Sequence, residues 1–316
     1  MELIHSKTRF DFVCLRSQIL AFGFSGLLTL ISIFSLWYHG LNLGIDFSGG
    51  TLVQVRFAKP PHLDQVRAAL SHLELGDVSI QEFGVPEEIL IRVAKQPSGS
   101  DAQSALATKV VDTLKPVASE GKVELRRVEF VGPQVGSELV VSGLWAVFYS
   151  LLAILVFVAW RFEWRFAYGA IISLIHDVII TMGLFSFTQK EFTLVVLAAV
   201  LTIIGYSIND TIVVFDRVRE ERIRSKKQPM SYVINRAIND TLSRTIIVSL
   251  TVVLVLVALL LFGGLVIHDF ALALFVGVVL GTYSSIFVAC QIVLLLDKKE
   301  PIVTDQPSTA QAAETP

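Results

Sequence analysis

Charge is scarce in this sequence. Only 17% of its 316 residues are Asp, Glu, Lys or Arg, and 26 basic against 28 acidic side chains leave a net charge of −2. Whole-chain electrostatics therefore gives no case for a nucleic-acid partner. Cysteine is scarcer still. Cys14 precedes the first apolar run and Cys290 lies inside the last, so no disulfide is expected, and no C-x-x-C spacing offers a metal site. No cofactor is expected either. A cleavable export signal is also missing. The first apolar run follows Lys7, Arg9 and Arg16, but it is too long for a signal core, and "LWYHGLNLG" has no A-x-A-like cleavage site. It reads as a retained anchor.

Hydrocarbon is what the chain has in plenty. Hydrophobic residues make up 53% of it, mean hydropathy is +0.65, and the apolar residues gather into runs rather than amphipathic periods. Six runs, at 17–38, 139–160, 166–188, 192–215, 242–262 and 268–296, are long enough to cross roughly 30 Å of hydrocarbon at about 1.5 Å per residue. The expected class is an α-helical polytopic membrane protein with six transmembrane helices. Basic residues choose its orientation. Arg161 and Arg165 lie in the 161–165 turn, seven Lys and Arg residues in the 216–241 connection, read as a basic cytoplasmic loop, and Lys298 and Lys299 after the sixth run. The opposite turns at 188–191 and 263–269 hold one lysine. Both termini are thus placed in the cytoplasm: residues 1–16, and a tail at 297–316 read as disordered. Segment 39–138 lies outside.

That external segment alternates and turns like a folded domain. "TLVQVRF" (51–57) reads as a strand, "HLDQVRAALSHLE" as a helix, "DVSIQEF" and "EEILIRVA" as strands joined by "GVPE", 100–114 as a second helix and "KVELRRVEFV" as a last strand. The order β-α-β-β-α-β predicts an external α+β ferredoxin-like domain between helices 1 and 2. No serine–histidine–acid spacing supports catalysis, and His62 and His72 read as surface residues. The chain is not read as an enzyme. Two glycine-rich joints flank the domain, with Gly44, Asp46, Gly49 and Gly50 in "GLNLGIDFSGG" and Gly132 and Gly136 in "VGPQVGSEL". They read as hinges or connectors. A phosphate cradle would need a strand–loop–helix context and a lysine that "GIDFSGG" lacks.

Ionisable groups in hydrocarbon are costly, on the order of 3 kcal/mol each at mid-helix, and point to function. Asp210 lies seven residues inside Arg217, roughly 10 Å deep. His176 and Asp177 fall near the middle of the third run, and Arg244 enters the fifth. Folding the third and fourth runs about residue 190 sets Asp177 opposite about Ile203, and folding the fourth on the fifth brings Asp210 and Arg244 to similar depth. Thr202, Tyr206, Asn209, Asp210 and Arg217 share one broad stripe of the fourth helix. A proton pathway through Asp210, Arg244, Asp177 and His176 is the sharper reading. The plainer readings are that Arg244 snorkels to the headgroups and that His176 and Asp177 only lock helices. In the sixth run Ala273, Gly277, Gly281, Ser285 and Ala289 form a small-residue face for close packing against a helix of this chain or of a partner.

Several of these motifs stand together. "GIDFSGG" after a first span, "VGPQVG" opening the second, "SLIHDV" in the third and "TIIGYSINDTIVVFDRVRE" in the fourth resemble the SecF members of the SecD/SecF family of bacterial protein-export subunits. The resemblance implies pairing with SecD, association with the SecYEG channel and with YidC, and contact between the external domain and a precursor polypeptide. It implies a bacterial cytoplasmic-membrane location, kinship with resistance–nodulation–division transporters, and use of the proton-motive force to draw precursors outward. It also ties the fourth-span aspartate and fifth-span arginine, here Asp210 and Arg244, to proton movement. A proton-driven small-molecule or lipid exporter and a passive assembly scaffold are the alternatives.

Overall fold

The structure is a computed structural model, and it describes residues 10–73, 75, 76, 78–93, 100–118 and 122–297. The expected tail beyond Asp297, with Lys298 and Lys299, and Lys7 and Arg9 at the other end lie outside the described residues. Helix α1 (Leu15–Tyr38) opens at Cys14, whose Sγ accepts the Ser17 N–H at 3.4 Å. A single turn, α2 (Ile45–Ser48), leads through Gly49 and Gly50, with φ of 69° and 123°, into strand β1 (Gly50–Phe57). Only glycine takes such angles without strain, which is why the pair stands at this corner.

The chain then forms α3 (Leu63–Ser71), β2 (Val78–Phe83), β3 (Val85–Val93), α4 (Ser100–Leu114) and β4 (Val123–Val131). The four strands make one antiparallel sheet in the order β2-β3-β1-β4. Period-two alternation in β1 sends Val53, Val55 and Phe57 into a core with Val66 and Leu70 of α3 and Val110 and Leu114 of α4. Leu52 faces the other way, onto Leu90 and Ile45. The sheet is therefore apolar on both faces near the loop carrying α2.

Four long helices follow: α5 (Pro133–Arg161), α6 (Trp164–Thr188), α7 (Leu194–Arg224) and α8 (Met230–Phe262). A sixth candidate span joins α9 (Leu265–Ser284), a π turn (Ser285–Ala289) and α10 (Cys290–Leu296). Among the described residues, six helices are long and apolar enough to cross a membrane. Half or more of the apolar stretch of α6, of α7 and of the sixth span is buried by neighbours, against less than a fifth for α5 and α8. The first three make the centre, and the outer helices turn broad apolar faces outward.

Two boundaries differ from those expected. Most of 216–241, read as loop, is helical, and the turn between α7 and α8 is confined to 225–229. Charge pairing between the two helices accounts for this. Arg217 bonds Asp240 at 2.6 Å and Glu220 at 2.8 Å, and buried Glu221 lies 3.2 Å from Arg236. The turn between α6 and α7 spans 189–193 and is centred one residue later than expected, on 191. Gln189 ends α6 in the left-handed conformation (φ 51°), and Thr193 caps α7.

Candidate functional site

The buried polar centre is built by α6, α7, α8 and α9. Asp177 has no exposed surface. The hydroxyls of Ser207 on α7 and Ser284 on α9 each donate to its Oδ2 at 2.7 Å, and His176 Nδ1 lies 3.0 Å from its Oδ1. Three helices thus converge on one carboxylate. The other ring nitrogen, His176 Nε2, is buried without a protein partner, as are the hydroxyls of Ser173, Tyr206 and Thr245. Buried polar atoms in folded proteins are nearly always bonded, to protein or to ordered water.

Asp210 is 3% exposed and sits one turn along α7 from Ser207. It accepts from Ser249 Oγ of α8 at 3.4 Å, and Ser249 shares a 2.7 Å bond with Thr282 Oγ1 of α9. Each carboxylate thus has its own hydroxyl partners, Ser207 and Ser284 on Asp177 and Ser249 with Thr282 on Asp210, and along α7 the two sets lie about one turn, roughly 5 Å, apart. The 10 Å spacing expected from folding at residue 190 shrinks because Asp177 meets Ser207, not Ile203.

Arg244 makes no hydrogen bond or ion pair with Asp210. The buried face of α8 is Thr241, Thr245 and Ser249, at i, i+4 and i+8. Arg244 precedes Thr245 by one residue, a rotation of about 100°, and it is exposed with no ion pair among the described residues. It also lies five residues from Ser249, about 7.5 Å nearer the charged end. The stripe on α7 divides in the same way. Tyr206 and Asp210 turn inward, Thr202 and Asn209 lie exposed beside Gly205, and Arg217 is held by Asp240. No group of three His, Cys, Asp or Glu side chains among the described residues is placed to hold a metal ion.

The small-residue face of the sixth span packs within this chain. Ala273, Ser285 and Ala289 are fully buried. A Cβ on Gly277 would overlap Ile203 of α7, and one on Gly281 would come within 2.9 Å of Ser207. These contacts let α9 approach closely enough for Ser284 to reach Asp177. The hydroxyl partners Ser207, Ser249, Thr282 and Ser284 were not singled out from sequence. Their one visible signal was the run of hydroxyl residues in "TYSS" at 282–285.

The glycine-rich joints are clamps. The Asp46 carboxylate accepts the Leu194 N–H at the start of α7 at 2.9 Å, and Gly44 N–H donates to Phe192 at 2.9 Å. Phe47 stacks on Phe192, with ring centroids 5.8 Å apart. Gly132 caps α5, and a Cβ on Gly136 would stand 2.8 Å from the Phe47 carbonyl. Nearby, burial raises the pKa of Glu191 above its ordinary value. Arg92 opposes the shift, while Asp269 and Asp46 add to it.

A multi-helix membrane bundle with carboxylates bonded to hydroxyls at its centre, clamped to a small antiparallel sheet domain, defines a polytopic membrane protein built around a polar core. Residues 109–299 match the model for the SecD/SecF protein-export membrane protein C-terminal region, and residues 34–61 match the SecD/SecF GG motif. The chain is 55% identical over 297 residues to the protein translocase subunit SecF of Magnetococcus marinus, covering 94% of this chain and 95% of that one. It is 48% identical to the SecF of Calditerrivibrio nitroreducens, covering 94% and 97%. It superposes on the crystal structure of SecDF from Thermus thermophilus, described as a translocon-associated membrane protein, with TM-score 0.82 and 36% identity. The match covers 93% of this chain but 39% of that one. Agreement with SecDF in a super-membrane-facing form is lower, at TM-score 0.67. The chain belongs to the SecD/SecF family of protein-export membrane proteins.

Proposed function

We propose that this chain is a Sec protein translocase subunit of the SecF kind, which couples the proton-motive force to late movement of exported precursors. It sits in the bacterial cytoplasmic membrane with both termini inside and pairs with SecD, whose path to SecYEG and YidC it shares. The high-coverage SecF relatives support the translocase role. The element order β1-α3-β2-β3-α4-β4 and the strand order β2-β3-β1-β4 support a ferredoxin-like reading of the sheet domain, which faces outward and meets the precursor.

One observation carries the proton step. Asp210 is buried among neutral hydroxyls, with no cation touching it. An ionised carboxylate in that position costs several kcal/mol unless it is well paired, so a change in its protonation has a large lever on the bundle. When ionised, it draws on Ser249, Thr282 and the distant Arg244. When neutral, it releases them, and α7 and α8 are free to shift. The hydroxyls between Asp210 and Asp177, together with His176, continue the proton route through the centre. Arg244, Asn209 and Thr202 on the open face mark where SecD closes it. Asp46, bonded to the first turn of α7, carries displacement of that helix to the sheet domain. A switch of this kind requires two arrangements of the bundle within a few kcal/mol of each other.

The test is Asp210→Asn, assayed for precursor export in vesicles under an imposed proton gradient. Export should fall to the level seen without the gradient, while protein amount and SecD recovery stay normal. Export that still responds fully to the gradient would leave the chain a passive scaffold.

A further inference from the structure

Where α5 meets α6, on the charged end of the bundle, a cavity of about 540 Å³ opens between Arg161, Glu163, Phe166, Arg219, Arg222 and Lys226. The proposed proton route does not use it. Its floor is aromatic: Phe162 and Phe166 are buried there, with ring centroids 6.1 Å apart. Trp160 and Trp164, 84% and 64% exposed at the adjoining helix ends, have the placement of side chains that sit at headgroup level. The rim holds four cations and the Glu163 carboxylate, with Asp216 beside it as the partner of Arg161. Arg161 is answered by Asp216 at 2.9 Å and Arg222 by Glu163 at 3.1 Å. Arg219 and Lys226 are exposed and have no ion pair or hydrogen bond among the described residues. The site thus keeps a local charge of two, beside apolar surface and at the mouth of the bundle.

We propose that this cavity binds the headgroup of an anionic phospholipid. Arg219 and Lys226 hold its phosphates, and its acyl chains lie along the largely uncovered α5. A soluble acidic protein would match the two cations but would have no use for the exposed tryptophans and the apolar face continuing along α5. A free phosphate ion would match the charge but not the aromatic floor. Basic pockets between helices at a membrane's charged face are a known chemical match for such headgroups.

The experiment uses the purified full chain in neutral detergent, titrated with tetraoleoyl cardiolipin and read by native mass spectrometry. Phosphatidylcholine and inorganic phosphate serve as separate arms. Cardiolipin is expected to bind, phosphatidylcholine to be lost, and phosphate not to compete at comparable concentration. Each cation beside an anionic lipid is worth about fivefold in affinity, so Arg219→Gln with Lys226→Gln lowers binding about 25-fold. Asp216→Asn, which frees Arg161, raises it about fivefold; because it acts in the opposite direction, a folding defect cannot imitate it. The proposal is overturned if the double variant binds as the parent does or phosphatidylcholine is retained equally. It is likewise overturned if phosphate displaces the lipid, Asp216→Asn fails to strengthen binding, or a photocrosslinker at Ile223 in intact membranes captures a protein instead of phospholipid.

Discussion

The Asp46 carboxylate accepts the backbone N–H of Leu194 at 2.9 Å, so the loop entering the sheet domain caps the helix that carries Asp210. Thr193 caps the same helix through Val196 N–H at 3.4 Å, a longer and weaker bond. Asp46→Ala should therefore lower stability by about 0.5–2 kcal/mol, the usual cost of a lost N-cap. Denaturant unfolding in detergent measures it. Under the coupling proposed above, export should fall by more than this loss of stability explains.

Ser207 and Ser284 both donate to Asp177 Oδ2. Removing either hydroxyl leaves a fully buried carboxylate short of a donor, at a cost of about 1–3 kcal/mol. Because the two serines share an acceptor, Ser207→Ala and Ser284→Ala should be non-additive in a double-mutant cycle. Additive losses would mean that the two hydroxyls do not act on one carboxylate.

Two glycines on interacting helices should respond in opposite ways. Gly277→Ala inserts a methyl into Ile203 and should destabilise by about 1–3 kcal/mol. Nothing lies within 4 Å of where a Cβ on Gly205 would stand. Gly205→Ala should stabilise the isolated chain by about 0.5–1 kcal/mol, since glycine is costly inside a helix. If SecD covers that face, Gly205→Leu should reduce SecD recovery while leaving the isolated chain folded.

Burial raises the pKa of Glu191, so the folded state favours its protonated form. Its contribution is most favourable below the ordinary value of 4.5 and is lost as pH rises through the elevated folded value. Glu191→Gln should remove that loss. Thermal unfolding from pH 4 to 7 should show the variant gaining on the parent as pH rises. A constant difference would place no such burden on Glu191.

The spans and the order of elements in the sheet domain were legible because both rest on hydrophobic period, which a single sequence carries openly. Asp177 and Asp210 were legible because charge in hydrocarbon stands out. Their partners were not. Serine and threonine leave hydropathy almost unchanged, so Ser207, Ser249, Thr282 and Ser284 become visible only once the helices are in register. Register in turn depends on how the turn is built, and four residues of register separate the expected partner of Asp177, Ile203, from the observed one, Ser207. For Arg244 it is rotation about the helix, rather than the turn, that decides its surroundings. One residue of rotation off the buried face of Thr241, Thr245 and Ser249 leaves that side chain exposed, and a hydropathy pattern does not resolve so small a rotation.

The π turn at Ser285–Ala289 stores one surplus residue in the sixth span, just after Ser284. Passing that surplus up the helix beyond Thr282 would turn the intervening side chains by about 100° while leaving both ends of the helix anchored. Ser284 and Thr282 would then swing off their partners Asp177 and Ser249 together. A wrinkle of this kind lets a rod fixed at both ends turn its middle like a key, with no need for either end to slide.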